Sequence, residues 1–354
     1  MGRVTLKTIA DHVGVSRMTV SNAFSRPDQL SAKLRDQILA VADELGYVGP
    51  DPTARALASG SAGTVGLLLS DTLTYALTDE VAMAFLAGIA KELTPTGLSL
   101  TLLSATPQES VVPARDIAID GALVYACNPD ASAIDWLKRR GLPLVYVDQV
   151  PAPGIASINI DDRLGARAAA QHVIDLGHKR VAIVTAGAEG EFGIVTDPQR
   201  AAVAYPERQR LLGWFDALDA AGIKPTVVRQ PHADAQEAGY SAAQTLLENH
   251  SPPTGVLCFS DALARGVIRA IQDAGLDVPK DVSVVGFDDN PLAARTRPAL
   301  TTVRQDADAK GRAAAAALAA AIERAKTHPG GRGRHVVLPT ELVVRESTAR
   351  PRRR

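Results

Sequence analysis

Cysteine is nearly absent from this chain: two in 354 residues, Cys127 and Cys258, each inside an apolar run (GALVYAC and GVLCF). Without a pair framework or C-x-x-C spacing, a disulfide scaffold and a thiolate metal cluster are both excluded, and a reducing compartment fits. Aromatic residues make up only 4%, so no stacking platform for a ring-shaped ligand stands out. No uninterrupted apolar run of about 18 residues occurs, which excludes a predicted membrane span. The start, MGRVTLKTIADHVG, lacks the continuous apolar core of a signal peptide. Net charge is only -1, which by itself points to no polyanionic partner. These absences lead to an expectation of a cytoplasmic protein with no cofactor, no metal and no membrane association.

What is present is unevenly distributed. Residues 1–35 hold the cations Arg3, Lys7, Arg17, Arg26, Lys33 and Arg35 against the anions Asp11 and Asp28, a local charge of +4 on a chain that totals -1. A small basic end on a neutral-to-acidic body can meet phosphates locally without the body doing so.

The first 46 residues read as three short helices. Leu6, Ile9, Ala10 and Val13 recur at helical spacing behind Thr5, a cap residue; Gly14 interrupts; Ser16 opens a second helix and Ser31 a third, which stops at Gly46. Helix, glycine-containing turn and second helix have the form of a helix-turn-helix. Val15, Val20 and Ala23 take the inner side, so Arg17, Met18, Ser21 and Asn22 project outward. Arg and Asn are the side chains able to make two-point contacts with guanine and adenine edges in the major groove. From Thr64 the pattern changes to strands alternating with helices, in two successive series, the second beginning at RVAIVTAG. That alternation predicts two parallel sheets and two lobes, with ligand at the carboxyl ends of the strands between them.

The motifs T-L-x-x-I-A, G-V-S-x-x-T-V-S, A-x-x-L-G-Y and P-x-x-x-A-R-x-L, in that order, resemble the headpiece of the lactose-repressor/galactose-repressor (LacI/GalR) family. The likeness continues through DLGHKRVAI, ERQRLLGW, SDALARGVIRAIQDAGLDVPKDVSVVGFDD and PALTTVRQD, so it spans nearly the whole chain. The resemblance implies roles by position. Arg17, Met18 and Asn22 fall at base-reading positions; Met18 lacks a strong donor, so its reading is apolar, as of a thymine methyl. Thr5, Ser16, Thr19, Ser21 and Ser31, with Asn22, fall at positions facing the DNA backbone. Ala54, Arg55, Leu57 and Ala58 match a hinge helix that forms on DNA, pairs with its dimer mate in the minor groove and wedges a leucine into the central base step.

For the body, the resemblance implies a cleft in which Arg210 clamps ligand oxygens and Asp288 accepts from ligand hydroxyls. Asp148, Ser260 and Asp261 stand at strand ends facing that cleft, and Tyr75 and Thr78 would line it from the first lobe. Phe192, Tyr205 and Trp214 are the aromatic options nearby. Residues 187–206 run longer than the family pattern.

The expected fold is an N-terminal all-α helix-turn-helix headpiece plus an α/β two-lobed body like a periplasmic binding protein, with two parallel doubly wound sheets. The expected divisions are 1–48 for the headpiece, 49–62 for hinge helix and linker, and 63–348 for the body. Within the body, lobe 1 takes about 63–160 plus 291–323 and lobe 2 about 161–290 plus 324–348; a flexible basic tail fills 349–354. The expected function is a ligand-responsive transcriptional regulator, a repressor binding a palindromic double-stranded operator as a homodimer, with tetramers left open, and responding to a carbohydrate. The alternative is a solute-binding protein of similar fold without a regulatory role. Asp161–Asp162 and Asp288–Asp289 are paired carboxylates, but adjacent acids rarely converge on one substrate and no nucleophile–base motif accompanies them, so no enzyme is expected.

Overall fold

Hydroxyl caps set the first helices. Thr5 accepts from the Thr8 amide while Thr8 accepts from the Thr5 amide, a reciprocal box that starts α1 (Leu6–Val13). Gly14 ends it at φ 77°, a left-handed conformation that glycine adopts without a Cβ clash. Ser16 then caps α2 (Arg17–Ser25), and Ser31 caps α3 (Ala32–Glu44). Ile9, Ala10, Val20, Ala23, Ile38 and Ala42 bury together between the three helices, and Phe24 meets Tyr47 edge-on at 5.7 Å. These features belong to the computed structural model of the chain, which describes every residue except 1–3, 50, 52–53, 55, 58–59, 70–75, 106–111, 129, 188–189, 232–233, 328–332 and 353–354. It divides into two compact units, 1–63 and 64–354. At the end of the first unit Ala54, Ala56 and Leu57 have helical backbone, with the Ala54 amide donating to Asp51 Oδ1 at 3.2 Å. Arg55 and Ala58 lie outside the described residues.

The second unit is built on two sheets. The chain runs β1 (Thr64–Leu69), α4 (Glu80–Leu93), β2 (Ser99–Ser104), α5 (Pro113–Asp116), β3 (Gly121–Tyr125), α6 (Ser132–Arg139), β4 (Leu144–Val147) and β5 (Ala156–Ile160). It crosses over into α7 (Asp162–Asp175), β6 (Val181–Gly187), β7 (Gly193–Ile194), α8 (Pro198–Ala201), α9 (Tyr205–Ala220), β8 (Thr226–Pro231), α10 (Ala235–Leu247), β9 (Gly255–Cys258), α11 (Asp261–Asp273), β10 (Ser283–Asp288) and β11 (Thr301–Arg304). It returns through α12 (Ala307–Thr327) and β12 (His335–Leu338) and ends past β13 (Glu341–Val343). The first sheet has the order β12-β5-β4-β3-β1-β2 and is parallel throughout. The second has the order β13-β11-β10-β9-β6-β8-β7, with β13 and β7 antiparallel at its edges. Helices cover both faces, which is why the central strands are uniformly buried and apolar rather than alternating.

The expected lobe boundaries need correction. β11 pairs with β10 and so belongs to the second sheet, whereas 291–323 was expected in the first lobe. β12 pairs with β5 in the first sheet, whereas 324–348 was expected in the second. The crossings therefore fall at 161, at 305–306 and at 339–340, where the Asp161 amide donates to Leu338 and Thr340 Oγ1 donates to the Asp161 carbonyl. The expected flexible tail is anchored as far as the description reaches. The Ala349 carbonyl accepts from His178 and Ser283, and Arg352 pairs with Asp281 at 2.8 Å. Among the described residues no helix is long and apolar enough to cross a membrane.

Candidate functional site

In the first unit the second helix turns Arg17 and Met18 to solvent, Met18 with 71% of its surface exposed, while Val20 and Ala23 hold the other side in the core. An apolar side chain that exposed has no role in packing its own unit. Asn22 is half-buried and donates to Gln29 Oε1 at 3.1 Å, so its amide is held in a fixed orientation. Ser16 and Thr19 hydroxyls are 2.8 Å apart and close the cap, Thr5 and Ser31 are exposed caps of their own helices, and Ser21 is half-buried beside them. The three cap hydroxyls thus stand at helix starts, where unpaired amides and the positive end of the helix dipole favour an anion. Leu57 is 86% exposed.

In the second unit a cavity of about 230 Å³ opens between the lobes, at the carboxyl ends of both sheets. The loop after β1 that holds Tyr75 lies outside the described residues; Thr78 is exposed and off the cavity wall, and its neighbour Asp79 takes that place. Asp148, Arg210, Ser260 and Asp288 all line the cavity. One chain of contacts runs across it. Arg210 donates through Nε to Asp162 at 2.8 Å and through Nη1 to the Phe259 carbonyl, with Asp288 Oδ1 3.5 Å away. Gln305, at a lobe crossing, donates to Asp288 at 2.7 Å and accepts from Lys310, and Lys310 pairs with Asp148 at 2.5 Å. The Arg210 guanidinium also lies 3.6 Å over the Phe287 ring, an arrangement in which a planar cation gains from the aromatic face.

Backbone strain gathers at the same place. Ala126, Asp148, Asp288 and Asp289 are the described non-glycine residues with positive φ, and each stands at the carboxyl end of a strand bordering the cavity. Such conformations cost on the order of 1 kcal/mol or more each and persist where surroundings impose them, as at ligand sites.

Asp261 corrects an expectation. It is fully buried beneath the strands rather than on the cleft wall: Thr302 Oγ1 donates to Oδ1 at 2.5 Å and the Asn290 amide to Oδ2 at 2.9 Å. As the first residue of α11 it turns toward β10 and β11, where Gly286 leaves it room. Ser260, the cap before it, faces the cavity. Trp214 is also a core residue, and among the described residues the aromatic rings on the wall are those of Tyr125 and Phe259. The paired acids diverge as expected: Asp289 turns away to Arg304 and Arg345. Four charged residues on the wall escaped the sequence reading: Asp79, Glu207, Arg229 and Lys310.

Burial pushes Asp288 up to about 7 and Asp162 up to about 6, with the Arg210 guanidinium pulling both the other way. An unfolded aspartate titrates near about 3.9. The folded chain therefore keeps protons over a window in which the unfolded chain has lost them. Their contribution to stability is complete below about pH 4 and is lost as pH rises through 6 and 7. Asp288→Asn should flatten that fall, seen as urea midpoints that change less across the window; a profile parallel to the parent's would place the proton elsewhere.

Comparison with known proteins bears on both units. Residues 5–49 match the model for bacterial regulatory proteins of the lacI family, and residues 170–348 match a periplasmic binding protein-like domain. The HTH-type transcriptional regulator IpsA of Corynebacterium glutamicum is 38% identical over 338 residues, 92% of this chain and 93% of that protein. The Lac repressor dimer bound to operator and an anti-inducer superposes with a TM-score of 0.78 at 26% identity, covering 98% of this chain and all of that one. A transcriptional regulator CelR–cellobiose complex superposes with a TM-score of 0.69 at 27% identity, again over 98% of this chain. The capped helix-turn-helix falls in the part of the chain that matches the lacI-family model and the two-lobed body carries the match to the periplasmic binding protein-like domain, and with relatives this similar over nearly its whole length this chain belongs to the LacI family of bacterial transcriptional regulators.

Proposed function

We propose that the chain is a homodimeric repressor in the cytoplasm whose hold on a palindromic operator is released by a small carbohydrate seated in the cleft. The observation that carries the effector half is the connected network from Asp162 through Arg210, Asp288, Gln305 and Lys310 to Asp148, which joins both lobes through a crossing segment. A ligand that accepts from Arg210 and donates to Asp148 or Asp288 interacts differently with open and closed lobes, which is the condition for shifting a conformational equilibrium. Asp148 Oδ1 is buried without a donor among the described residues, so a ligand hydroxyl would satisfy it. That the solved structure of a related regulator, CelR, is a complex with cellobiose supports a sugar as the ligand class.

On the DNA side, Arg17, Met18 and Asn22 read bases, and Thr5, Ser16, Thr19, Ser21 and Ser31 hold the backbone. Ala54, Arg55, Leu57 and Ala58 form the minor-groove hinge. Two copies joined by the body read two half-sites, so the operator has two-fold symmetry. Lobe rotation changes the spacing of the linkers and so couples the cleft to the hinge. The chain performs no covalent chemistry in this reading, and the headpiece weighs against a solute-binding protein with no regulatory role.

Selection of binding sites from a random duplex pool tests the reading. A two-fold symmetric site should emerge, and the sugar in a panel that most raises the melting temperature should lower affinity for that site. Enrichment of asymmetric or unrelated sequences would remove the dimeric repressor from consideration.

A further inference from the structure

The rear wall of the cleft carries a second ion pair, apart from the Arg210 network. Glu207 on α9 and Arg229 on β8 are each 1% exposed, and both line the cavity. Their contact is two-pronged: Arg229 Nε donates to Glu207 Oε1 at 2.8 Å and Nη2 to Oε2 at 3.2 Å, while Thr185 Oγ1 donates to the same carboxylate. Arg229 Nη1 donates to the Glu191 carbonyl at 3.2 Å, and the Phe192 ring lies 5.3 Å from the guanidinium. The fork fits only because Gly187 has no side chain; a Cβ there would overlap Arg229. Gly187 at the strand end, Glu207, and Glu191 and Phe192 from the loop that follows thus form one holder for this guanidinium.

Its position matters because arginine is the residue best suited to grip a phosphate or carboxylate in two-point fashion. Here that grip is taken by Glu207. The other cations on the wall are engaged in the same way, Arg210 by Asp162 and Asp288 and Lys310 by Asp148. An anion entering would lose its hydration and meet carboxylates already matched to each cation. A hydroxyl-rich neutral molecule meets no such obstacle, since carboxylate oxygens accept from hydroxyls at no net charge cost. We infer that the cavity selects an uncharged polyol over its phosphorylated or carboxylated counterparts, and that Glu207 is the specificity-determining residue because it occupies Arg229. The inference rests on the reading of the cleft as the effector site.

The test uses the full chain and paired probes: glucose against glucose 6-phosphate and glucuronate, ribose against ribose 5-phosphate, with inorganic phosphate alone as the simplest anion. Each is read by melting temperature and calorimetry against sodium chloride of matched ionic strength. The parent should respond to no anionic member more strongly than to chloride. Glu207→Gln removes the two-pronged carboxylate partner of Arg229 and should bind glucose 6-phosphate or inorganic phosphate at least about tenfold more tightly than the parent does. The double variant E207L/R229M should show no such gain, which separates the effect of the Arg229 guanidinium from that of a loosened wall. A parent that binds an anionic member as tightly as its neutral counterpart overturns the inference, and this arm stands even if Glu207→Gln fails to fold. Equal anion affinity in parent and Glu207→Gln overturns it too. Failure of the underlying reading looks different: a neutral sugar would bind, and Asp148→Asn would leave that binding unchanged.

Discussion

A chain carrying Arg210→Met should be about 3–5 kcal/mol less stable than the parent at neutral pH, the usual cost of stripping one partner from a buried ion pair. It should also lose its melting-temperature response to every sugar that stabilises the parent. Arg210 stands between Asp162 and Asp288, all three almost wholly buried, and among the described residues no other cation pairs with Asp162. Methionine fills much of the same volume and lies well against Phe287, so packing loss is a small part of the effect. The charge origin gives the deficit a pH signature. Both acids already titrate above the normal range with the guanidinium present, and its removal raises them further, so acidification neutralises them and the deficit shrinks toward about pH 5. Adding Asp162→Asn should recover part of the loss at neutral pH. Urea unfolding at several pH values decides the matter: a deficit independent of pH would mean that Arg210 acts through packing alone.

Arg210 and Asp288 are legible because both sit in short segments that carry the family resemblance, RLLGW within α9 and GFDD at the end of β10. The geometry of parallel sheets sends strand ends to the cleft. Lys310 is not. In DAKGRAAAAALAAA it is one cation on an alanine-rich helix, a pattern that describes a solvated surface equally well, and only the packing of α12 over the first sheet buries it beside Asp148. Arg229 follows two valines in a strand, where alternation puts a charge outside; the glycine end of β6 and the acid on α9 make an inside place for it. Asp261 misled for the converse reason. Three residues beyond the end of β9 at Cys258, it has crossed from the loop into the first turn of a helix, and that turn rotates its side chain under the sheet. The lobe boundaries failed at a similar scale, because strands β11 and β12 are each only four residues long and nothing local tells which sheet each completes.

Leu57→Ala should lower affinity for the selected operator at least about thirtyfold while leaving binding to random-sequence duplex, and the stability of the chain, nearly unchanged. At 86% exposure Leu57 contributes little to the folded chain without DNA, so its apolar surface remains available for a partner. Burying a leucine side chain is worth roughly 1.5–3 kcal/mol, and a two-fold complex buries two. Against this stands the unstacking of one base step, which costs a few kcal/mol. Alanine still permits the helical backbone started by the Asp51 cap, yet it is too short to hold the step apart. The wedge is therefore lost without loss of the hinge. Non-specific binding depends on phosphate contacts and the release of counterions, to which a leucine contributes nothing, so the salt dependence on random duplex should match the parent's. Titrations of both duplexes at one fixed salt concentration separate the outcomes. Equal losses on the two would assign Leu57 to general adhesion, and no loss on either would take the hinge out of operator recognition and leave specificity to Arg17, Met18 and Asn22.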